Sequence, residues 1–143
     1  MTEYTGKFYE ELEIGMSHET YHTITEADIE AFANVSGDRN PLHMDEDYAK
    51  TTMFKGRIAH GALTASYISG ILGNDMPGPG AIFTDLSLQF KRPVRIGDEV
   101  TARATVAEKQ DKGSRVTLDV ACYVRGKAVV EGTAKVVAPR KKD

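Results

Sequence analysis

The chain has 143 residues, enough to bury a proper core in one domain but too few for separate cofactor and substrate modules. Its 18 basic and 21 acidic residues give a net charge of −3, without the positive excess that nucleic acid or an anionic membrane would require. The one cysteine, Cys122, excludes an internal disulfide or a cysteine-based zinc site, and no apolar run approaches the ~18 residues of a membrane span. The start, Met1-Thr2-Glu3-Tyr4, has neither the basic nor the apolar stretch of a signal peptide, so the expectation is a cytoplasmic protein.

In chain order, a weak strand is expected over residues 17–24. A helix follows, opened by a capping box from Thr25 to Asp28, with Ile29, Phe32 and Ala33 at helical spacing and Gly37 as its stop. Asp45-Glu46-Asp47 reads as the acidic start of another helix. The next helix, residues 62 to about 72, carries Leu63, Ala65, Ile68, Ile71 and Leu72 and no charge, the mark of a buried helix. After the Pro77-Gly78-Pro79-Gly80 loop come four alternating stretches. The first puts Ile82, Leu86, Leu88 and Phe90 on one face. The others put Val100 to Val106, Val116 to Val124, and Ala128 to Val136 inward, with polar residues between. One-sided alternation with short turns, such as Arg125-Gly126-Lys127, favours antiparallel strands. Cys122 falls on an apolar face and reads as a small core residue. Pro139 onward reads as a short, frayed basic tail. The expectation is an α+β domain whose antiparallel sheet wraps an uncharged helix, with its other face exposed or paired with a second copy.

Two segments could carry chemistry. In Ser36-Gly37-Asp38-Arg39-Asn40-Pro41-Leu42-His43, Pro41 blocks helix continuation, so Asp38 and His43 are expected on a bent loop that can bring them together. A carboxylate and an imidazole aimed at one point can hold a water and move its protons; ordinary turn material is the bland alternative. Matching Gly37, Asp38, Asn40, Pro41 and His43 by chance happens on the order of once in a few million windows, so the full string is specific. In the second segment, Arg57-Ile58-Ala59-His60-Gly61, the glycine opens the uncharged helix. Its unpaired N–H groups suit a developing oxyanion, although Gly61 would also simply ease entry into a helix.

These segments resemble the MaoC-like, or hydratase 2, group of hot-dog-fold proteins, especially the short (R)-specific enoyl-CoA hydratases. The resemblance runs from Asp38-Arg39-Asn40-Pro41-Leu42-His43 through His60-Gly61-Ala62-Leu63, Ser69-Gly70-Ile71-Leu72-Gly73 and Phe90-Lys91-Arg92-Pro93 to Gly97-Asp98-Glu99-Val100. It covers residues 8–137 and so implies a single hot-dog domain, in a family of homodimers or dimers of dimers. It implies reversible hydration of a trans-2-enoyl-CoA to an (R)-3-hydroxyacyl-CoA, with no metal or other cofactor. Asp38 and His43 would hold the water and handle both protons, and the Gly61 N–H would polarise the thioester carbonyl. Ser69 would bond the Asp38 loop, line the acyl pocket or be a plain helix-interior serine. Leu72 is a candidate for the acyl pocket, Asn40 for fixing the loop, and His60 for a buried supporting role.

The sequence departs from the family pattern at Lys55-Gly56-Arg57, where relatives often have a proline. Lys55, Arg57, Lys91 and Arg92 could meet CoA phosphates or simply be solvated. His18 and His22 are four apart, without a carboxylate partner in sequence, and are not expected to bind metal. Three other functions remain in view: a 3-hydroxyacyl-thioester dehydratase on CoA or acyl carrier protein, a hot-dog thioesterase, and a non-catalytic acyl-thioester binding module. A thioesterase would want a carboxylate between Gly61 and Gly73, where there is none, and a binder has no need of the Asp38/His43 pair.

Overall fold

The computed structural model describes residues 6–141. The Met1-Thr2-Glu3-Tyr4 start lies outside them, as do Lys142 and Asp143. The expected weak strand forms β1 (Ser17–Thr23), and the four period-2 stretches form β2 (Ile82–Phe90), β3 (Glu99–Gln110), β4 (Arg115–Val124) and β5 (Lys127–Val137). They make one sheet in the order β1-β3-β4-β5-β2, antiparallel at every pairing. The β4–β5 turn is the two residues Arg125-Gly126, both left-handed, as a tight hairpin requires.

The inward face is set by the alternation. Val100, Ala102, Ala104 and Val106 of β3 and Val116, Leu118, Val120 and Cys122 of β4 are buried. Arg103, Thr105, Thr117 and Asp119 point to the other face. The helix α4 (Gly61–Asn74) lies across this floor and touches all five strands. A charge on α4 would have to be desolvated there, and the helix has none. Leu63, Ile68, Ile71 and Leu72 are buried instead, each contributing about 2 kcal/mol of transfer energy. The small side chains of Ala102 and Ala104 let the helix approach closely. This is the hot-dog arrangement. Burial pushes the Cys122 thiol up to about 12, so it is a neutral core group.

Three expectations need correction. A bulge between Phe83 and Asp85 breaks the alternation of β2. Phe83, not Ile82, therefore pairs with buried Val136 and joins Leu86, Leu88 and Phe90 on the inward face. That face is also only partly covered: Phe83, Leu86 and Phe90 are 39%, 43% and 57% exposed, because β2 is an edge strand that α4 touches but does not cover. Lastly, the residues after Pro139 do not fray as far as they are described. Arg140 sits over the Tyr9 ring and bonds Asp111 at 2.8 Å, while the Pro139 carbonyl accepts from Tyr9 N at 2.7 Å.

At one point the sheet closes on itself more tightly than side chains allow. Gly132 of β5 lies against β2 so closely that a Cβ there would be 1.9 Å from the Ser87 carbonyl oxygen. Only glycine fits this approach.

Candidate active site

Helix α1 (Glu26–Ser36) begins with both bonds of the Thr25–Asp28 capping box, at 3.1 and 2.9 Å, and ends at left-handed Gly37. The chain then turns through Asp38 into α2 (Pro41–Met44), a single helical turn. His43 is therefore on a helical turn and not on a loop. Proline blocks a helix that is already running, but at the first helical position its missing N–H costs nothing. Asn40 caps that turn, its side-chain oxygen accepting from Leu42 N at 3.0 Å, and Asn40 N in turn donates to Asp38 Oδ1 at 3.2 Å. The acidic run read as a helix start becomes α3 (Glu46–Ala49), capped by Asp45.

This loop and turn bring Asp38, His43 and His60 together: a carboxylate oxygen of Asp38 and one ring nitrogen from each histidine lie within 4.8 Å of one another. Two hydrogen bonds of about 2.8 Å each bridge such a gap through one water. Asp38 is exposed, whereas His43 and His60 are buried.

Backbone carbonyls fix both imidazoles. A carbonyl only accepts, so His43 Nδ1, 2.8 Å from Ile58 O, carries a proton, and in the neutral ring Nε2 then keeps its lone pair. His60 Nε2 donates to the carbonyl of Asp38 at 2.9 Å, holding the acid's backbone in place. The two rings lie against each other with centroids 4.2 Å apart and planes tilted by 33°. His60 Nδ1 is buried and has no partner among the described residues.

Gly61, first residue of α4, offers an N–H without an intrahelical partner at the positive end of the helix. It lines a cavity of about 410 Å³ together with His43, Ile58, Thr64, Phe90 and Val130. A Cβ at Gly61 would lie 2.8 Å from the Phe90 ring, so glycine is needed here for packing as well as for access to the amide. Ser69 and Leu72 lie elsewhere, two and three turns along α4. They line a second cavity of about 60 Å³ with Ala81, Phe83 and Val136, so Ser69 is not placed beside the Asp38 loop. A larger depression of about 520 Å³ on the polar outer face of the sheet, lined by Arg103, Asp119 and Glu131, shares no residue with the Asp38 cluster.

The residues that matched the description of the MaoC-like domain run from 8 to 130. The chain belongs to the MaoC-like family. Within this family, the (R)-specific enoyl-CoA hydratase of Rhodospirillum rubrum is 51% identical over 132 residues, or 92% of each chain. The 3-hydroxybutyryl-CoA dehydratase of Methylorubrum extorquens is 41% identical, over 95% of this chain and 87% of that one. The unliganded R-hydratase PhaJ1 of Pseudomonas aeruginosa superposes with a TM-score of 0.89 at 42% identity, over 97% of this chain and 90% of that one. Among the described residues of this MaoC-like chain, no helix is long and apolar enough to cross a membrane.

The basic residues weighed as phosphate ligands are mostly engaged within the chain. Arg57 bonds Glu26 and the His43 carbonyl, Lys91 pairs with Glu131 at 3.0 Å, and Arg92 donates to Ala128 O. His18 does find a carboxylate, Asp75 at 3.4 Å, but His22 stacks instead on Tyr67. Sequence reasoning missed Thr64, whose hydroxyl is buried one turn after Gly61 without a partner among the described residues, and Phe90 as a wall of the cavity. Ser66, Tyr67, Ser69 and Asn74 share α4 with it, so only the place of Thr64 one turn after Gly61 could have singled it out.

Proposed function

We propose that the Asp38–His43 pair and the Gly61 amide carry the reaction of an (R)-specific enoyl-CoA hydratase, the reversible hydration of a trans-2-enoyl-CoA to an (R)-3-hydroxyacyl-CoA. The observation that carries this is the carboxylate and the imidazole converging within one water's span, with His43 and Gly61 both lining a mostly apolar cavity. The pair takes a proton from water as its oxygen bonds to C3, and the C2=C3 electrons move onto the thioester. Gly61 N–H bears the resulting oxyanion charge, and the pair then returns a proton to C2. The electron sink is the thioester itself, so no cofactor is needed. Run backwards, the same steps dehydrate a 3-hydroxyacyl thioester.

The deciding assay mixes the protein with crotonyl-CoA and follows loss of the conjugated enoyl-thioester absorbance, with the product's stereochemistry determined. The expected product is (R)-3-hydroxybutyryl-CoA. Release of free CoA would make the protein a thioesterase, and no turnover on any enoyl thioester would make it a binder. Asp38, His43 and His60 also have the composition of a small metal site. Dialysis against EDTA is nonetheless expected to leave the rate unchanged, and a loss restored by one added metal would overturn the cofactor-free mechanism.

The acyl tail is placed along α4 toward Ser69 and Leu72. Leu72, 2% exposed beside the second cavity, is its end wall. Leu72→Ala is expected to widen the range of accepted chain lengths from crotonyl toward octenoyl-CoA. An unchanged profile removes Leu72 from the pocket.

The working unit is proposed to be a homodimer formed through β2. The support is the partly exposed apolar row Phe83, Leu86 and Phe90 on an edge strand, with Phe90 also walling the active-site cavity. Leu86→Lys is expected to yield monomers by light scattering and lower activity. A variant that keeps the wild-type mass moves the interface elsewhere. Location in the cytoplasm belongs to the same proposal, since CoA thioesters carry several phosphate charges and do not cross membranes unaided.

A further inference from the structure

His43 has a support that lies outside the cavity. Residues 57–58 run beside α2 and are tied to it three times. Ile58 N donates to Leu42 O at 3.3 Å, Arg57 Nε donates to His43 O at 2.6 Å, and His43 Nδ1 donates to Ile58 O at 2.8 Å. Arg57 is held on its other side as well. Its side chain is only 12% exposed, and Glu26, at the start of α1, meets its two terminal nitrogens at 2.7 and 3.1 Å. Its backbone N–H donates to Glu46 at 3.3 Å. The two-pronged pairing fixes the plane of the guanidinium in a way that a lysine could not.

Exposed ion pairs add little stability as a rule, but this arginine is neither exposed nor paired only with its acid. Its Nε–H goes to the carbonyl of the very residue that does the chemistry, and the carbonyl of Ile58, the residue after Arg57, selects that residue's tautomer. We propose that the Glu26–Arg57 ion pair is the positioning device that holds His43 as the Nδ1–H tautomer, with Nε2 free for the substrate water. Neutral imidazole exists in two tautomers, and only this one presents a lone pair at Nε2. Arg57 keeps the Ile58 carbonyl on the ring and α2 in register with it. Without Arg57, residues 57–58 lose one of their three ties to α2, and the proton redistributes between the ring nitrogens. Arg57 and Glu26 are positioning residues: neither touches substrate. The catalytic consequence rests on the hydratase reading, but the tautomer itself does not.

The test combines kinetics on crotonyl-CoA with two-bond proton–nitrogen spectra of the histidine rings in ¹⁵N-labelled protein, with His43 assigned through its loss in His43→Ala. The wild type should show His43 in a single Nδ1–H form. Arg57→Ala should show a mixture of tautomers and a kcat lower by about tenfold or more, the cost of a misplaced base. Its KM should stay within about twofold, because substrate contacts remain intact. Arg57→Lys should recover only part of the loss. Glu26→Gln, at the exposed end of the pair, should shift both readouts in the same direction and serves in place of Arg57→Ala should that variant fail to fold. A folded variant that keeps the single Nδ1–H form overturns the proposal whatever its activity. A mixed tautomer with an unchanged kcat overturns it equally. Failure of the hydratase reading would appear as an inactive wild type, with the spectra still deciding the role of Arg57.

Discussion

Asp38→Asn should lower kcat on crotonyl-CoA by at least about a hundredfold, and His43→Ala should do the same, since each removes a general acid or base. That factor corresponds to about 2.7 kcal/mol of lost transition-state stabilisation. The two changes differ in what they leave behind. Asn keeps the shape of the exposed Asp38 side chain and can still accept from Asn40 N, so its melting temperature should match the wild type. Ala empties a buried site in α2 and gives up the bond to Ile58 O, so some stability is lost along with the activity. Asp38→Asn is therefore the cleaner of the two. The double variant should be little worse than the poorer single one, because the two groups act on one water and their effects do not add. Wild-type turnover in either folded variant would falsify the pairing.

Gly132→Ala carries the largest effect expected on stability. The added methyl would sit 1.9 Å from Ser87 O, 2.9 Å from Ser87 C and 3.0 Å from Leu88 Cα. All three are backbone atoms, and no rotamer change moves them aside. Relief requires β2 to move away from β5 and give up their pairing around Gly132↔Leu88. A cost above about 4 kcal/mol follows, at the rare end for a single substitution. In a chain of this size it should lower Tm by roughly 10 °C or more. Activity should fall with it, since Phe90 at the end of β2 walls the cavity. Thermal melts of the purified variant decide the matter. A Tm close to wild type would mean that β2 and β5 adjust to the methyl without losing their pairing.

How much of this was legible beforehand follows from the range of the forces involved. β3 and β4 are held from both sides, and their alternation reported the buried face residue by residue, down to Cys122. The α1 capping box and its glycine stop are local effects and were equally readable. β2 was not, because α4 leaves much of its inward face exposed and a bulge shifts its register by one. The Asp38–His43 pairing could be suspected from spacing, but the turn that presents His43 was missed, because Pro41 was read only as a breaker and not as a first helical residue. Arg57 was misread for a different reason. Its use depends on Glu26, 31 residues away, and no local pattern announces a partner at that distance.

The helix that starts at Gly61 also passes Leu72, eleven residues on and about 16 Å away at 1.5 Å per residue. Bond-making sits at one end of a rigid rod and the end wall of the proposed acyl room at the other. Substitutions near Leu72 therefore leave the amide at Gly61 in place, and those near Gly61 leave the far wall alone. Descent from a common ancestor could then trade one chain length for another through changes in a single turn of helix, with the reaction itself passed on unaltered.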